Sequence, residues 1–77
     1  GTKRWKLPNG DFHREDGPAL EFANGSKTWY LNNRLHRENG PAFEHVNGFK
    51  RWYLNGKNYS EQEYKNKMRL IKLEHIL

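Results

Sequence analysis

Two histidines, His13 and His36, have neighbours that could serve a catalytic or metal-binding site. Each is followed by an arginine and an acidic residue, as HRED from His13 and as HREN from His36. A metal site needs three or four convergent ligands, whereas these histidines are 23 residues apart and are expected on neighbouring units of the fold. His36 with Glu38 or Glu44 could in principle act as acid and base, but the chain has no nucleophile elbow, P-loop or metal-hydrolase motif. We therefore expect no metal, no cofactor and no catalytic residue, and we expect the arginines to stack on aromatic rings.

Basic residues also alternate with aromatic ones in three segments. These segments are Arg4-Trp5-Lys6, Lys27-Thr28-Trp29-Tyr30 and Lys50-Arg51-Trp52-Tyr53. Proteins that bind single-stranded nucleic acid use this combination, because bases stack on the rings while cations follow the phosphates. The net charge of +5 permits such contacts, and it equally permits contact with an acidic protein. If the tryptophans are needed for the core, Tyr30 and Tyr53 remain for stacking, with Arg51 beside them.

The elements that would position these residues are tandem repeats. HREDGPA, from His13 to Ala19, recurs 23 residues later as HRENGPA, from His36 to Ala42. WYLN, from Trp29, recurs from Trp52 at the same spacing. A fixed period of this length is typical of stacked arrays, in which one unit cannot bury its apolar face alone.

Turn dipeptides divide the repeats into short strands. They are Asn9-Gly10, Asp16-Gly17, Asn24-Gly25, Asn32-Asn33, Asn39-Gly40, Asn47-Gly48 and Asn55-Gly56. Asn, Asp and Gly tolerate positive φ, which two-residue type I′ hairpin turns require. The pattern predicts an antiparallel meander of about six short strands.

Side chains of the predicted strands alternate between two faces. A two-residue turn at Asn24-Gly25 would place Leu20 opposite Trp29 and Glu21 opposite Thr28. One face then carries Leu20, Phe22, Trp29 and Leu31, followed one period later by Phe43, His45, Trp52 and Leu54. The other carries Ala19, Glu21, Thr28 and Tyr30, followed by Ala42, Glu44, Arg51 and Tyr53, with Glu44 opposite Arg51. We predict that the Trp and Leu face forms a shared core and that the Tyr face is exposed.

The C-terminal segment, residues 60–77, abandons the repeat. Ser60 and Glu63 form a capping-box pattern, which predicts a helix from about Glu61 to about Glu74 that closes the array. Helical spacing puts Tyr64, Met68, Ile71 and His75 in one stripe and Leu70, Leu73 and Leu77 nearly opposite. Only one stripe can face the sheet, so the leucines are candidates for contact with a partner or a second copy. The alternative is that the last residues fray or run extended.

Composition limits the class of protein. The 77 residues are expected to form one domain; they include no cysteine, which suits a reducing cytoplasm, and the mean hydropathy is −1.22. No apolar run approaches the roughly 20 residues of a spanning helix, so we expect no integral membrane segment.

The arrangement W-Y-x-N-G-x-x-H-R-x-x-G-P-A, followed by N-G, resembles the MORN-type repeat superfamily. It is most similar to the divergent W-Y-x-N-G/H-R-x-x-G-P-A repeats of phage and giant-virus proteins, over about Trp5 to Tyr59. The resemblance implies a β-meander that serves as a protein-contact module. It also implies a virus-encoded factor that binds and inhibits a host defence protein. It supplies no catalytic residues.

The sequence thus predicts one mainly β domain with β-hairpin repeats over residues 5–59 and a capping helix over residues 60–77. The predicted function is non-enzymatic protein binding in the cytoplasm, with a host protein as partner and a homodimer through the helix as a further option. The alternative is a single-stranded nucleic-acid-binding module. The candidate contact residues are Tyr30, Arg51, Tyr53, Leu70, Leu73 and Leu77.

Overall fold

Residues 1–76 form eight short antiparallel strands followed by one helix, which confirms the predicted β+α class. The computed structural model describes the backbone of residues 1–76 and the side chains of residues 1–73. The strands are β1 (Lys3–Arg4), β2 (Leu20–Glu21), β3 (Lys27–Thr28), β4 (Tyr30–Leu31), β5 (Arg34–Leu35), β6 (Phe43–Glu44), β7 (Lys50–Leu54) and β8 (Lys57–Tyr59); the helix is α1 (Glu61–Ile76). Six strands form one sheet in the order β1-β2-β3-β6-β7-β8, and β4 pairs with β5 in a separate hairpin.

Two of the predicted turns are two-residue turns as expected. Asn32 and Asn33 have φ of 50° and 65°, and Asn55 and Gly56 have φ of 51° and 83°. Pairs Leu31↔Arg34 and Leu54↔Lys57 flank them directly. Positive φ at both central positions is the type I′ geometry.

Three other Asn-Gly dipeptides instead lie in three-residue loops, so the predicted two-residue turns are wrong there. In the loop around Asn24, Phe22 N–H donates to Ser26 O at 2.8 Å, and the Asn24 side chain accepts from Ser26 N–H at 2.9 Å. Only Gly25 takes a positive φ, of 98°. The loops around Asn9 and Asn47 close in the same way. This is the type I turn with a glycine bulge, which the same dipeptide also fits.

The longer loop shifts the register by one residue. Leu20 stands opposite Thr28 and Glu21 opposite Lys27, so the predicted Leu20–Trp29 and Glu21–Thr28 pairs are wrong. Since side chains alternate along a strand, Leu20 and Phe22 move to the face that carries Tyr30. In the next unit Phe43, and not Glu44, stands opposite Arg51, and Glu44 faces Lys50.

The core is small and lies at the helical end of the sheet, which corrects the expectation of a shared tryptophan layer. Leu54, Tyr64 and Met68 are buried together, with Trp52 and Ile71 packed against them. Elsewhere the only fully buried apolar side chains among residues 1–73 are Ala19 and Ala42, the last residues of the two HRxxGPA words. The sheet therefore depends on contacts other than a continuous apolar layer.

Helix α1 begins where the sequence predicts. Ser60 Oγ accepts from Glu63 N–H at 3.1 Å, and Glu63 Oε1 accepts from Ser60 N–H at 3.0 Å, forming the capping box. The contacts of Ser60 with the Glu63 carboxyl, chiefly the hydrogen bond from Ser60 N–H, lower the pKa of that carboxyl. Tyr64, Met68 and Ile71 face β7 and β8 as predicted, so the helix packs on the face that carries Trp52 and Leu54.

Candidate binding surfaces

The repeated HRxxGPA word builds an arginine stacked on a tryptophan. The Arg14 guanidinium lies 3.9 Å from the Trp5 ring centroid, and that of Arg37 lies 3.8 Å from the Trp29 ring centroid. Arg37 Nη1 donates to Pro41 O at 3.0 Å, and Nε donates to Asn39 Oδ1 at 3.1 Å. Arg14 makes the equivalent pair of bonds. These stacks confirm the predicted cation–π role of the arginines.

The glycine of the word makes room for this guanidinium. A Cβ added at Gly40 would lie 3.0 Å from Arg37 Cζ, and one at Gly17 would lie 2.9 Å from Arg14 Cζ. Both distances are shorter than ordinary carbon contacts. The prediction of hairpin turns at Asp16-Gly17 and Asn39-Gly40 is therefore wrong. Both dipeptides lie in loops that fold around an arginine.

The histidines have a structural role in the two-residue turns. His13 Nδ1 accepts from Asn32 N–H at 2.9 Å, and His36 Nδ1 accepts from Asn55 N–H at 2.9 Å. Each ring thus fixes the turn one unit further along, and the neutral ring carries its proton on Nε2. Among the side chains of residues 1–73, no three His, Asp or Glu groups converge as metal ligands.

The first candidate surface is the sheet face opposite the helix, which we term the aromatic face. It holds a shallow concavity of about 320 Å³. Its lining residues are Leu20, Phe22, Thr28, Tyr30, Leu35, Phe43, Arg51 and Tyr53. The structure therefore brings three of the sequence-predicted contact residues, Tyr30, Arg51 and Tyr53, into one site.

The aromatic face is apolar with a single cation in its lining. Phe22 is 39% exposed, and Tyr30 and Tyr53 are half-buried. Arg51 is exposed and stacks on the Phe49 ring at 4.9 Å from its centroid. No lining residue carries a carboxylate. The site can thus receive apolar side chains and pair Arg51 with an incoming carboxylate.

The four apolar lining residues Leu20, Phe22, Leu35 and Phe43 were not among the predicted contact residues. A two-residue turn at each Asn-Gly predicts Leu20, Phe22 and Phe43 in the core, and the three-residue loops place them on the aromatic face instead. The signal that distinguishes the loops is weak, since Asn followed by Gly suits both types. The strand register determines the face on which these side chains lie, because a shift of one residue moves every side chain of a strand to the opposite face of the sheet.

The second candidate surface is the outer side of α1. Leu70 is 58% exposed and Leu73 is 51% exposed, which confirms that this stripe faces away from the sheet. The two leucines do not join the aromatic face. Leu73 instead lines a separate cleft beside Trp52, which we term the helix cleft. The predicted contact residue Leu77 lies outside the described residues.

Tyr64 joins the helix to the second HRxxGPA word. Its hydroxyl donates to Arg37 O and accepts from Gly40 N–H at 3.3 Å. Burial raises the pKa of the Tyr64 phenol. The helix is thus fixed to the repeat by polar contacts as well as by packing.

No protein-family model, curated protein or solved structure matches this chain. The likeness to MORN-type repeats therefore stays a prediction from the quoted residues. Over the part of the chain that the structure describes, no helix has the length and hydropathy needed to cross a bilayer.

Proposed function

We propose that this chain is a non-enzymatic protein-binding module and that the aromatic face is its main contact surface. The observation that carries this proposal is the convergence of Tyr30, Arg51 and Tyr53 with Phe22 and three further apolar side chains in one concavity. Helix α1 packs on the opposite face, so it leaves the aromatic face uncovered. Tyr and Arg are the residue types that dominate binding energy at protein interfaces.

The partner that fits this surface presents apolar side chains next to a carboxylate. Apolar groups would fill the concavity, and the carboxylate would pair with Arg51. Such an arrangement places the charged pair at the edge of the apolar contact, where it favours specificity. With the resemblance stated above, we propose a host-cell protein as partner and the cytoplasm of the host as the location.

Binding of single-stranded nucleic acid is the competing function. The pairing of Tyr30 and Tyr53 with Arg51 favours it, because bases could stack on either ring. However, Arg14 already covers a face of Trp5 and Arg37 a face of Trp29. Lys27 and Lys50 lie on the face opposite Arg51 by strand register. The cations and the aromatic rings without a stacked arginine are therefore too far apart to form a continuous binding path for single-stranded nucleic acid.

The test compares Phe22→Asp with Val46→Asp in a pull-down from nuclease-treated cell lysate. Both side chains are exposed apolar groups, but only Phe22 lines the concavity. We expect Phe22→Asp to remove the captured protein, with a loss of affinity of about 30-fold or more, as at an interface hot spot. Val46→Asp should retain it. Loss of capture with Val46→Asp, or retention with Phe22→Asp, would contradict the proposal.

A fluorescence-anisotropy titration with a mixed single-stranded oligonucleotide at low salt separates the two functions. The protein-binding function predicts no saturable binding. Saturable binding that weakens steeply with salt, and that Tyr53→Ala and Arg51→Ala each reduce, would instead establish the nucleic-acid function.

A further inference from the structure

The third tryptophan of the array lacks the arginine that covers the other two. Trp5 and Trp29 each carry a guanidinium within 4 Å of the ring centroid. The position one period after Arg37 is Ser60, which caps α1 instead. Among the side chains of residues 1–73, no cation stacks on Trp52. Because the helix replaces the next HRxxGPA word, Trp52 lacks the stacked guanidinium that Trp5 and Trp29 have.

Trp52 packs on one side against the core of Leu54, Tyr64 and Met68, and it lines the helix cleft, an open cavity of about 600 Å³ between α1 and the loop of the second HRxxGPA word. Its floor is apolar and is formed by Trp52, Met68 and Tyr64, with the half-exposed Leu73 at its outer edge. The Tyr64 hydroxyl is already bonded on both sides, to Arg37 O and to Gly40 N–H. The floor therefore suits an apolar side chain.

The rim of the helix cleft is strongly basic. Among the described lining residues, Lys65, Arg69 and Lys72 lie on the helix, and Glu38, on the loop, is the single carboxylate. Lys65 is paired with Glu61 at 3.1 Å. Within residues 1–73, no carboxylate lies at salt-bridge distance from Arg69 or Lys72. Arg69 and Lys72 lie at the edge of an apolar floor. They are therefore complementary to a ligand that has an apolar group flanked by acidic groups.

We propose that the helix cleft binds an acidic peptide segment of a partner protein, through one apolar anchor residue. The anchor would contact Trp52, Met68 and Leu73, and its acidic neighbours would pair with Arg69 and Lys72. The apolar floor supplies contact area and the basic rim supplies specificity and faster association. The site lies on the sheet face opposite the aromatic face, so it does not depend on the proposed function of that face.

The probe is a capped peptide with a central phenylalanine flanked by runs of glutamate, titrated into ¹⁵N-labelled full-length protein. We expect amide shifts at Glu38, Gly40, Met68 and Leu73 and a shift of the Trp52 indole N–H. Replacement of the phenylalanine by serine, or of the glutamates by glutamine, should each remove most of the binding. The absence of shifts at millimolar peptide, or shifts confined to the aromatic face, would overturn the proposal.

Charge reversal on the helix gives the matched control. Arg69 and Lys67 are both exposed and two positions apart, but only Arg69 lines the cleft. Arg69→Glu should weaken peptide binding about tenfold, since it replaces an attraction by a repulsion, whereas Lys67→Glu should change it by no more than about twofold. Equal effects of the two substitutions would mean that the peptide is attracted to the positive charge of the protein in general, and they would refute a specific site in the helix cleft.

Two further measurements complete the test. Phe22→Asp should leave peptide binding intact, so failure of the aromatic face and failure of the helix cleft are distinguishable. A single-stranded oligonucleotide that shifts the same amides more strongly than the peptide would assign the cleft to nucleic acid and overturn the proposal.

Discussion

The stack of Arg37 on Trp29 should be among the largest single contributions to the stability of this domain. The Arg37 side chain is only 21% exposed. It combines a 3.8 Å approach to the ring centroid with hydrogen bonds to Pro41 O and Asn39 Oδ1. Arg37→Ala would remove these three contacts, together with the 3.7 Å ion pair between Arg37 Nη1 and Glu44 Oε2, and expose the Trp29 ring.

The expected loss follows from these contacts. A partly desolvated cation–π contact contributes about 1 kcal/mol. Removal of the two guanidinium hydrogen bonds costs about 1–2 kcal/mol, since the Pro41 carbonyl loses its partner. The free energy of unfolding should therefore fall by about 2–3 kcal/mol. That is a large fraction of the ~3–5 kcal/mol that a core of this size supplies.

The assay is thermal unfolding followed by circular dichroism, with urea unfolding as a second measure. For a domain of this length the melting temperature should fall by about 10–20 °C. Arg51→Ala is the control, because Arg51 is exposed and stacks only on the exposed Phe49; it should change stability by less than about 0.5 kcal/mol. The stability of the Arg37→Lys protein should lie between those of the wild type and the Arg37→Ala protein, since lysine keeps the positive charge but lacks the planar guanidinium.

Two results would refute this reasoning. If the free energy of unfolding of the Arg37→Ala protein is within about 0.5 kcal/mol of the wild-type value, the stack does not stabilise the fold. If Arg37→Lys equals the wild type, the charge alone matters and the stacking geometry does not.

Three further predictions concern the helix. Met68→Ala should destabilise by about 2–4 kcal/mol because Met68 is buried against Leu54 and Tyr64, whereas Leu70→Asp should leave the melting curve nearly unchanged because Leu70 is 58% exposed. Light scattering of the Leu70→Asp protein then tests the homodimer: a wild-type dimer that becomes monomeric supports it, and a wild-type monomer rules it out. The Glu63 carboxylate has a lowered pKa in the folded state, so its contribution is present above the pKa of the unfolded chain and is lost as the pH falls through the lower folded value. The stability difference between wild type and Glu63→Gln should therefore shrink between about pH 7 and about pH 3 in urea unfolding, and a constant difference would contradict this capping role.

The sequence predicted the local features of the fold well. The capping box of Ser60 and Glu63 begins the helix at Glu61, and the buried side of the helix is the one that carries Tyr64 and Met68. The turns at Asn32-Asn33 and Asn55-Gly56 also have the predicted geometry. Each of these depends on residues a few positions apart, whose side chains and φ preferences act within one turn.

The candidate site was predicted in part. Tyr30, Arg51 and Tyr53 do lie together, because alternation within a strand and repetition between units place them on one side of the sheet. The sequence pattern predicts the wrong face for three neighbours that make this side apolar, Leu20, Phe22 and Phe43. Their assignment required the register between strands, which depends on one residue of loop length.

The repeat, five of the seven predicted hairpin connections, the start of the helix and its buried side follow from the amino-acid sequence alone, because short-range hydrogen bonds and helical spacing specify them. The loop type at each Asn-Gly, and therefore the face that each strand residue occupies, depends on how the units pack in three dimensions. The tertiary structure also determines that arginines, and not a shared apolar layer, cover Trp5 and Trp29, while Trp52 lines an open cleft. The physical reason is that these outcomes depend on contacts between units, where one residue of register exchanges the two faces of a sheet.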